Sequence, residues 1–187
     1  MKRTNQENID RYPASLRVLH WVRAILILGL LWAGWHMTGL DDEAMPKFEF
    51  YYPWHKSFGL LALLVVLVQI GIRLRTPRLP EPPETLAGYE QVLSKLVHRA
   101  LYALLVIVPL MGYSMSSTFT MSDGVFFFGV NLPELLPKND NWFLVFQWLH
   151  KVLAYTLLGL IALHVVGAIK HRLFDRDPRS DVLRRML

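Results

Sequence analysis

The stretch NWFLVFQWLHKVLAYTLLGLIALHVVGAIK, residues 141–170, decides how the rest of the chain is read. It exceeds the ~20 apolar residues that a helix needs to cross a ~30 Å hydrocarbon core. Its two histidines, His150 and His164, are 14 residues apart. At about 100° per residue that spacing returns close to one helix face, and at ~1.5 Å per residue it separates the two imidazoles by ~21 Å. One helix therefore presents two imidazoles on one stripe, one near each membrane face. Ionisable groups at that depth are costly and point to a functional site.

Composition supports the membrane reading. The chain has 187 residues, 53% of them hydrophobic, with positive mean hydropathy. The apolar residues are clumped rather than spread with the short period of a soluble core. That length suits one domain. The absence of cysteine excludes c-type haem attachment, thiolate iron–sulfur clusters, disulfides and Cys-rich zinc sites. The net charge of +5 sits in basic residues beside apolar runs, so it reads as membrane topology and not as nucleic-acid binding.

Three more spans are expected. The first runs from Pro13 to Thr38, with His20 about two turns in. It is too long for a signal-peptide core and no A-x-A-like site follows, so it is read as a retained helix. The second carries His55 and Lys56 ahead of FGLLALLVVLVQIGIRL and ends at Arg73, Arg75 and Pro77. Pro46 and Pro53 are both candidates for its first turn. Residues 76–88, with Pro77, Pro80, Pro82 and Pro83, are a connector. The third span runs from Tyr89 to Met115, with a kink expected at Pro109. Residues 116–141 are too polar and too broken by Gly129, Pro133 and Pro137 to span, and read as an interfacial segment rich in aromatic rings.

The expected fold is an all-α integral membrane four-helix bundle. Residues 1–12 are a cytoplasmic N-terminal segment, 13–172 the membrane domain and 173–187 a basic cytoplasmic tail. Lys and Arg counts fix this orientation. Lys2, Arg3, Arg11 and Arg17 precede the first span. Arg73, Arg75, Arg78, Lys95 and Arg99 flank the second connection. Lys170, Arg172, Arg176, Arg179, Arg184 and Arg185 follow the last span. The other two loops carry only Lys47 and Lys138, so both termini face the cytoplasm.

Orientation then assigns depths. His20 and His164 fall near the cytoplasmic face, and His55 and His150 near the outer face. Two imidazoles on facing helices can clamp a planar haem and leave its iron six-coordinate, which suits electron transfer. A single zinc ion needs all its ligands within ~2 Å, so the two levels cannot share one. His98 competes with His20 at the cytoplasmic level and His36 with His55 at the outer one. His171 lies on the His164 stripe in the headgroup zone. For these three the simpler reading is an interfacial histidine bonded to water or backbone, with a quinone or haem-propionate contact the other reading of His98. Trp21, Trp54 and Trp148 read as belt or packing residues.

LRVLHW at His20, WHKSFGLL at His55, FFFGVNLPELLP, QWLHKVLAY at His150 and ALHVVGAIKH at His164 together resemble the bacterial di-haem cytochrome b561 family. The resemblance spans about residues 12–172. It implies His20, His55, His150 and His164 as axial ligands of two haem b groups, selecting His20 over His98 and His55 over His36. It also implies a bacterial inner-membrane location and electron transfer between quinone, such as ubiquinone, and a donor or acceptor outside. That outer partner is a periplasmic redox protein or, since the family resembles superoxide oxidases, superoxide. A haem-free structural or transport bundle is the rival from another class. Arg17, Arg23, Lys56, Arg99 and Lys151 are candidate partners for haem propionates, with Lys56 and Lys151, each directly after a candidate ligand, favoured among them. Outer-loop carboxylates (Asp41, Asp42, Glu43, Glu49, Asp123, Glu134 and Asp140) outnumber Lys47 and Lys138. That excess disfavours steering of an anion to this face and suits a basic protein partner.

Overall fold

The computed structural model describes residues 11–77, 79–81, 83, 85–175 and 177–187. Lys2, Arg3, Arg78, Pro82 and Arg176 of the reading above lie outside the described residues.

Four helices are long and apolar enough to cross a membrane. Helix α1 is Ala14–Thr38, α2 is Tyr52–Arg75, α3 is Gly88–Thr118 and α4 is Asp140–Leu173. Pro13 stands at the N-cap of α1, its carbonyl accepting from the Arg17 amide at 3.1 Å. Both candidate prolines of the second span matter. Pro46 opens a π-helical turn, Lys47–Tyr51, that runs straight into α2, and Pro53 lies in the first turn of α2 itself. Lys47 is held there by Asp42 at 2.6 Å and by the Leu40 carbonyl at 3.1 Å. Helix α3 runs three residues past Met115 with Pro109 inside it. Helix α4 is capped by the Asn139 side chain, which accepts from the amides of Asn141 (3.0 Å) and Trp142 (3.2 Å).

The connection between α3 and α4 does not span, but it is more ordered than an interfacial segment need be. Val125–Phe127 (β1) and Val130–Leu132 (β2) form an antiparallel hairpin. Phe128 (φ 45°) and Gly129 (φ 96°) make its two-residue turn, the combination of positive φ values that matches strand twist. The tail holds two short 3-10 turns: Pro178–Ser180 bonds to Thr85, and Leu183–Arg185 folds back to Tyr12, just before α1.

Helix α1 packs along α2, α2 against α3, and α3 along α4, whereas α1 and α4 do not pack along each other. The apolar core is a thin layer of Ile27, Ala62, Val66, Leu105, Val108 and Leu157. Ile27, Ala62, Leu105 and Leu157 each lie seven residues after a histidine: His20, His55, His98 and His150. The core is thus a plug midway along the bundle, with histidines at both ends. Large apolar side chains such as Val18, Ile25, Trp35 and Leu74 point outward, as a lipid-solvated bundle requires.

Candidate functional site

The site grows from one spacing. His150 and His164 stand on α4, and each faces a second imidazole across the bundle. At the hairpin end His55 of α2 lies 6.2 Å from His150, centroid to centroid, with the rings at 82°. At the end carrying the termini His20 of α1 lies 6.3 Å from His164, at 59°.

Local structure holds the hairpin-end pair. The His150 Nδ1–H donates to the Val108 carbonyl at 2.9 Å. That bond keeps the proton on Nδ1 and leaves Nε2 as the open lone pair, the arrangement by which a backbone carbonyl orients a metal-binding imidazole. Gly112, one turn along α3, permits the approach. A Cβ there would lie 3.0 Å from His150 Cε1 and 3.1 Å from Nδ1. Gly34 of α1 does the same more loosely for His55, at 3.4 Å from its Cε1. The hairpin is fastened two residues beyond His55. The fully buried Ser57 hydroxyl donates to the Pro53 carbonyl at 2.9 Å, lies 3.4 Å from the Phe126 carbonyl and accepts from the Phe128 amide at 3.0 Å.

The other end is more polar. His98 brings a third imidazole 5.0 Å from His164, with its Nδ1–H donating to the Ser94 carbonyl at 2.6 Å. Arg23 Nη2 lies 3.3 Å from His20 Nδ1, and Arg23 and Arg73 both lean over the Tyr102 ring, at 5.2 and 5.8 Å. Trp21 packs edge-on to His20 at 5.3 Å. Outside the spans, Asp175 takes the His171 Nδ1–H at 2.7 Å, and that hydrogen bond holds its carboxyl below the ordinary range.

His36 joins neither pair. It stacks on Trp32 and meets Tyr51 in an aromatic cluster. His171 is engaged by Asp175. Of the candidate cationic partners, Lys56 and Arg17 are half-buried and Lys151 is exposed.

These side chains suit a planar cofactor gripped from both sides. A metal–imidazole bond of ~2.0 Å plus the ~1.1 Å from ring nitrogen to ring centre would set two trans imidazoles ~6.2 Å apart. Both cross-bundle pairs have that spacing, while His98 and His164 are too close for an iron between them. Some of the buried polar atoms left without a partner belong to this site: His55 Nδ1, and Nη1 of Arg23, whose Nη2 contacts His20. Among the described residues no group of three or more His, Asp or Glu side chains could hold a bare metal ion.

Sequence reasoning missed Ser57, Gly34, Gly112 and the Val108 carbonyl. The 14-residue spacing contained a signal for the glycines. Gly34 follows His20 by 14, and Gly112 follows His98 by 14.

A membrane four-helix bundle with imidazoles paired at two depths belongs to the class of multi-pass b-type cytochromes. The sequence comparisons specify which: the chain belongs to the prokaryotic cytochrome b561 family, whose pattern matches residues 11–187. It is 28% identical over 188 aligned positions to cytochrome b561 homolog 2 of Escherichia coli (strain K12), covering 95% of this chain and 92% of that relative. It is accordingly a haem b membrane electron-transfer protein and a multi-pass protein of the bacterial inner membrane.

Proposed function

We propose that the chain binds two haem b groups and carries electrons between quinone in the bilayer and a redox partner outside. The observation that carries this reading is the pair of matched spacings, 6.2 and 6.3 Å, at two levels of one bundle. His20 and His164 would hold the haem at the cytoplasmic level, and His55 and His150 the one at the outer level, with both termini cytoplasmic. Bound in this way, haem supplies a one-electron couple whose iron has no open position for oxygen. The protein does the rest. Val108 and Gly112 fix the plane and tautomer of His150. The Ile27–Leu157 plug keeps water from the space between the levels. Arg17, Lys56 and Lys151 stand beside the ligands as partners for propionates.

The outer partner is better matched to a cationic surface than to an anion. Lys47 and Lys138, the only outer-loop lysines, are taken up by Asp42 and Glu134. The exposed Lys151, next to His150, is what favours superoxide as the donor instead.

Purified protein from haem-replete cells is expected to show low-spin bis-histidine b-haem spectra with about two haems per chain. His55→Ala and His150→Ala should remove one and the same haem, His20→Ala and His164→Ala the other. Loss of different haems within a pair would refute the assignment. Stopped-flow reduction by quinol, set against reduction by a superoxide generator, separates the two donors. Superoxide reduction that slows with salt and in Lys151→Glu would replace the relay reading.

A further inference from the structure

Gln69 is a buried amide whose oxygen has no donor among the described residues. It is 3% exposed, and its Oε1 lies buried without a hydrogen-bond partner. It sits on the core face of α2, in line with Ala62 and Val66. A carboxamide left unsatisfied at membrane depth is costly, and native proteins rarely leave one without a protein, water or ligand partner. Since the terminal group can turn, it offers that partner either its oxygen or its NH₂.

Its position says which partner. Gln69 follows His55 by 14 residues on α2, as His164 follows His150 on α4. The two helices run in the same direction, so Gln69 comes level with the His20–His164 pair, ~21 Å from the outer one. The corresponding positions of the outer level are Gly34 and Gly112, which have no polar side chain. The inner level alone carries a polar group there.

A second unsatisfied group lies at the same end of the bundle, beside His20. Arg23 Nη1 is buried without a partner. Its Nη2 leans on His20 Nδ1 at 3.3 Å, and that contact needs Nδ1 to be an acceptor. An imidazole that gives Nε2 to iron carries its proton on Nδ1 and can no longer accept. With haem bound there, the guanidinium would keep Tyr102 but lose His20 as a partner, and a buried guanidinium fork calls for a carboxylate. Arg73, above the same Tyr102 ring, adds positive charge to this corner.

We infer that Gln69 and Arg23 form the binding site for a propionate carboxylate of the inner haem. This rests on the two-haem reading. Arg23 supplies the countercharge and Gln69 the neutral hydrogen bond, so the inner haem is tied to α1 and α2 at its rim as well as to α1 and α4 through iron.

The test uses the whole protein produced with 5-aminolevulinate carrying ¹³C in its carboxyl group, which labels the propionates. Redox-poised infrared difference spectra are recorded for wild type, Gln69→Leu and Arg23→Gln, after haem per chain has been counted. The label-sensitive carboxylate band of the inner haem is expected to shift in both variants. The inner midpoint potential should fall in Arg23→Gln, where a cation is lost, while the outer haem keeps its band and potential. A wild type without an inner haem would overturn the two-haem reading and this site with it. Two haems with an unmoved inner band and potential would overturn this site alone. Should Gln69→Leu fail to fold, Arg23→Gln decides by itself.

Discussion

Gly112 shows how much of the site depends on an absent side chain. A methyl placed there would sit 3.0 Å from a ring carbon of His150, a ring already tied to the Val108 carbonyl. The imidazole cannot retreat without breaking that bond, and overpacking of this kind costs about 1–3 kcal/mol. Gly112→Ala should therefore lose most of the outer haem while keeping the inner one, read as a fall from about two haems per chain towards about one. Gly34→Ala, with 3.4 Å to the His55 ring, should do less. Gly159 has nothing within 4 Å, so Gly159→Ala should leave both haems in place and serves as the control. Outer-haem content unchanged in Gly112→Ala would remove the close approach from the account. The histidines were legible in the sequence because a polar residue in an apolar run is conspicuous, and their 14-residue interval survives folding unchanged. Gly112 was not, because a glycine in a membrane helix carries no polarity signal. Only the identity of the side chain facing it gives it a role.

At the scale of elements, the four spans were legible from hydropathy alone, and the hairpin was not. Its two strands are three residues each, and its turn is Phe128–Gly129 instead of Asn–Gly, so the strongest hairpin signal is missing. What holds it is tertiary: Ser57 on α2 and the loop that follows the strands. Ser57→Ala leaves the Phe128 amide without its acceptor, a penalty of about 1–3 kcal/mol. The expected result is faster hydrogen exchange at Phe128 and faster reduction of the outer haem by a hydrophilic reductant. Unchanged rates would mean that the hairpin does not cover that end. The far side of the hairpin is pinned by Glu134, which accepts from the Gly124 amide at 3.2 Å and pairs with Lys138. Burial alone would raise the Glu134 pKa, but the hydrogen bonds from Lys138, Ser122 and Gly124 outweigh it and hold the carboxyl low. Its contribution is thus complete above the ordinary glutamate range, ~4.3, and is lost as pH falls through the lower folded value. Protection of the Gly124 amide, relative to its intrinsic exchange rate at each pH, should fall on acidification, and Glu134→Gln should remove that dependence. A pH-independent Gly124 amide would argue against the pin.

At the scale of the whole molecule, the tail closes a circuit that the helices leave open. Helices α1 and α4 do not pack along each other, so the end carrying the termini would gape where His20 and His164 stand. The residues after α4 return across that gap. The Trp21 indole N–H donates to the Met186 carbonyl at 2.9 Å, and the Tyr12 amide to the Arg185 carbonyl at 3.1 Å. Arg185 Nη1 donates to the Glu81 carbonyl at 2.6 Å, and the buried Ser180 hydroxyl bonds Thr85 at 2.8 Å. Composition alone marked this tail as basic and cytoplasmic, because charge is visible in a sequence and a return path is not. Trp21 packs edge-on to His20, so the tail reaches that imidazole through one side chain. Removing residues 183–187 deletes those carbonyl acceptors. At ~1 kcal/mol for each net hydrogen bond lost, and ~2–4 °C per kcal/mol at this chain length, the thermal midpoint should drop by several degrees. The electron paramagnetic resonance line of the inner haem should broaden as His20 gains freedom, and the outer line should not. Trp21→Phe keeps the ring and drops the donor, so it should reproduce part of the broadening with an intact tail. If Trp21→Phe matched wild type and the truncation mattered only in anionic lipid, the tail would be acting through headgroup charge and not through His20.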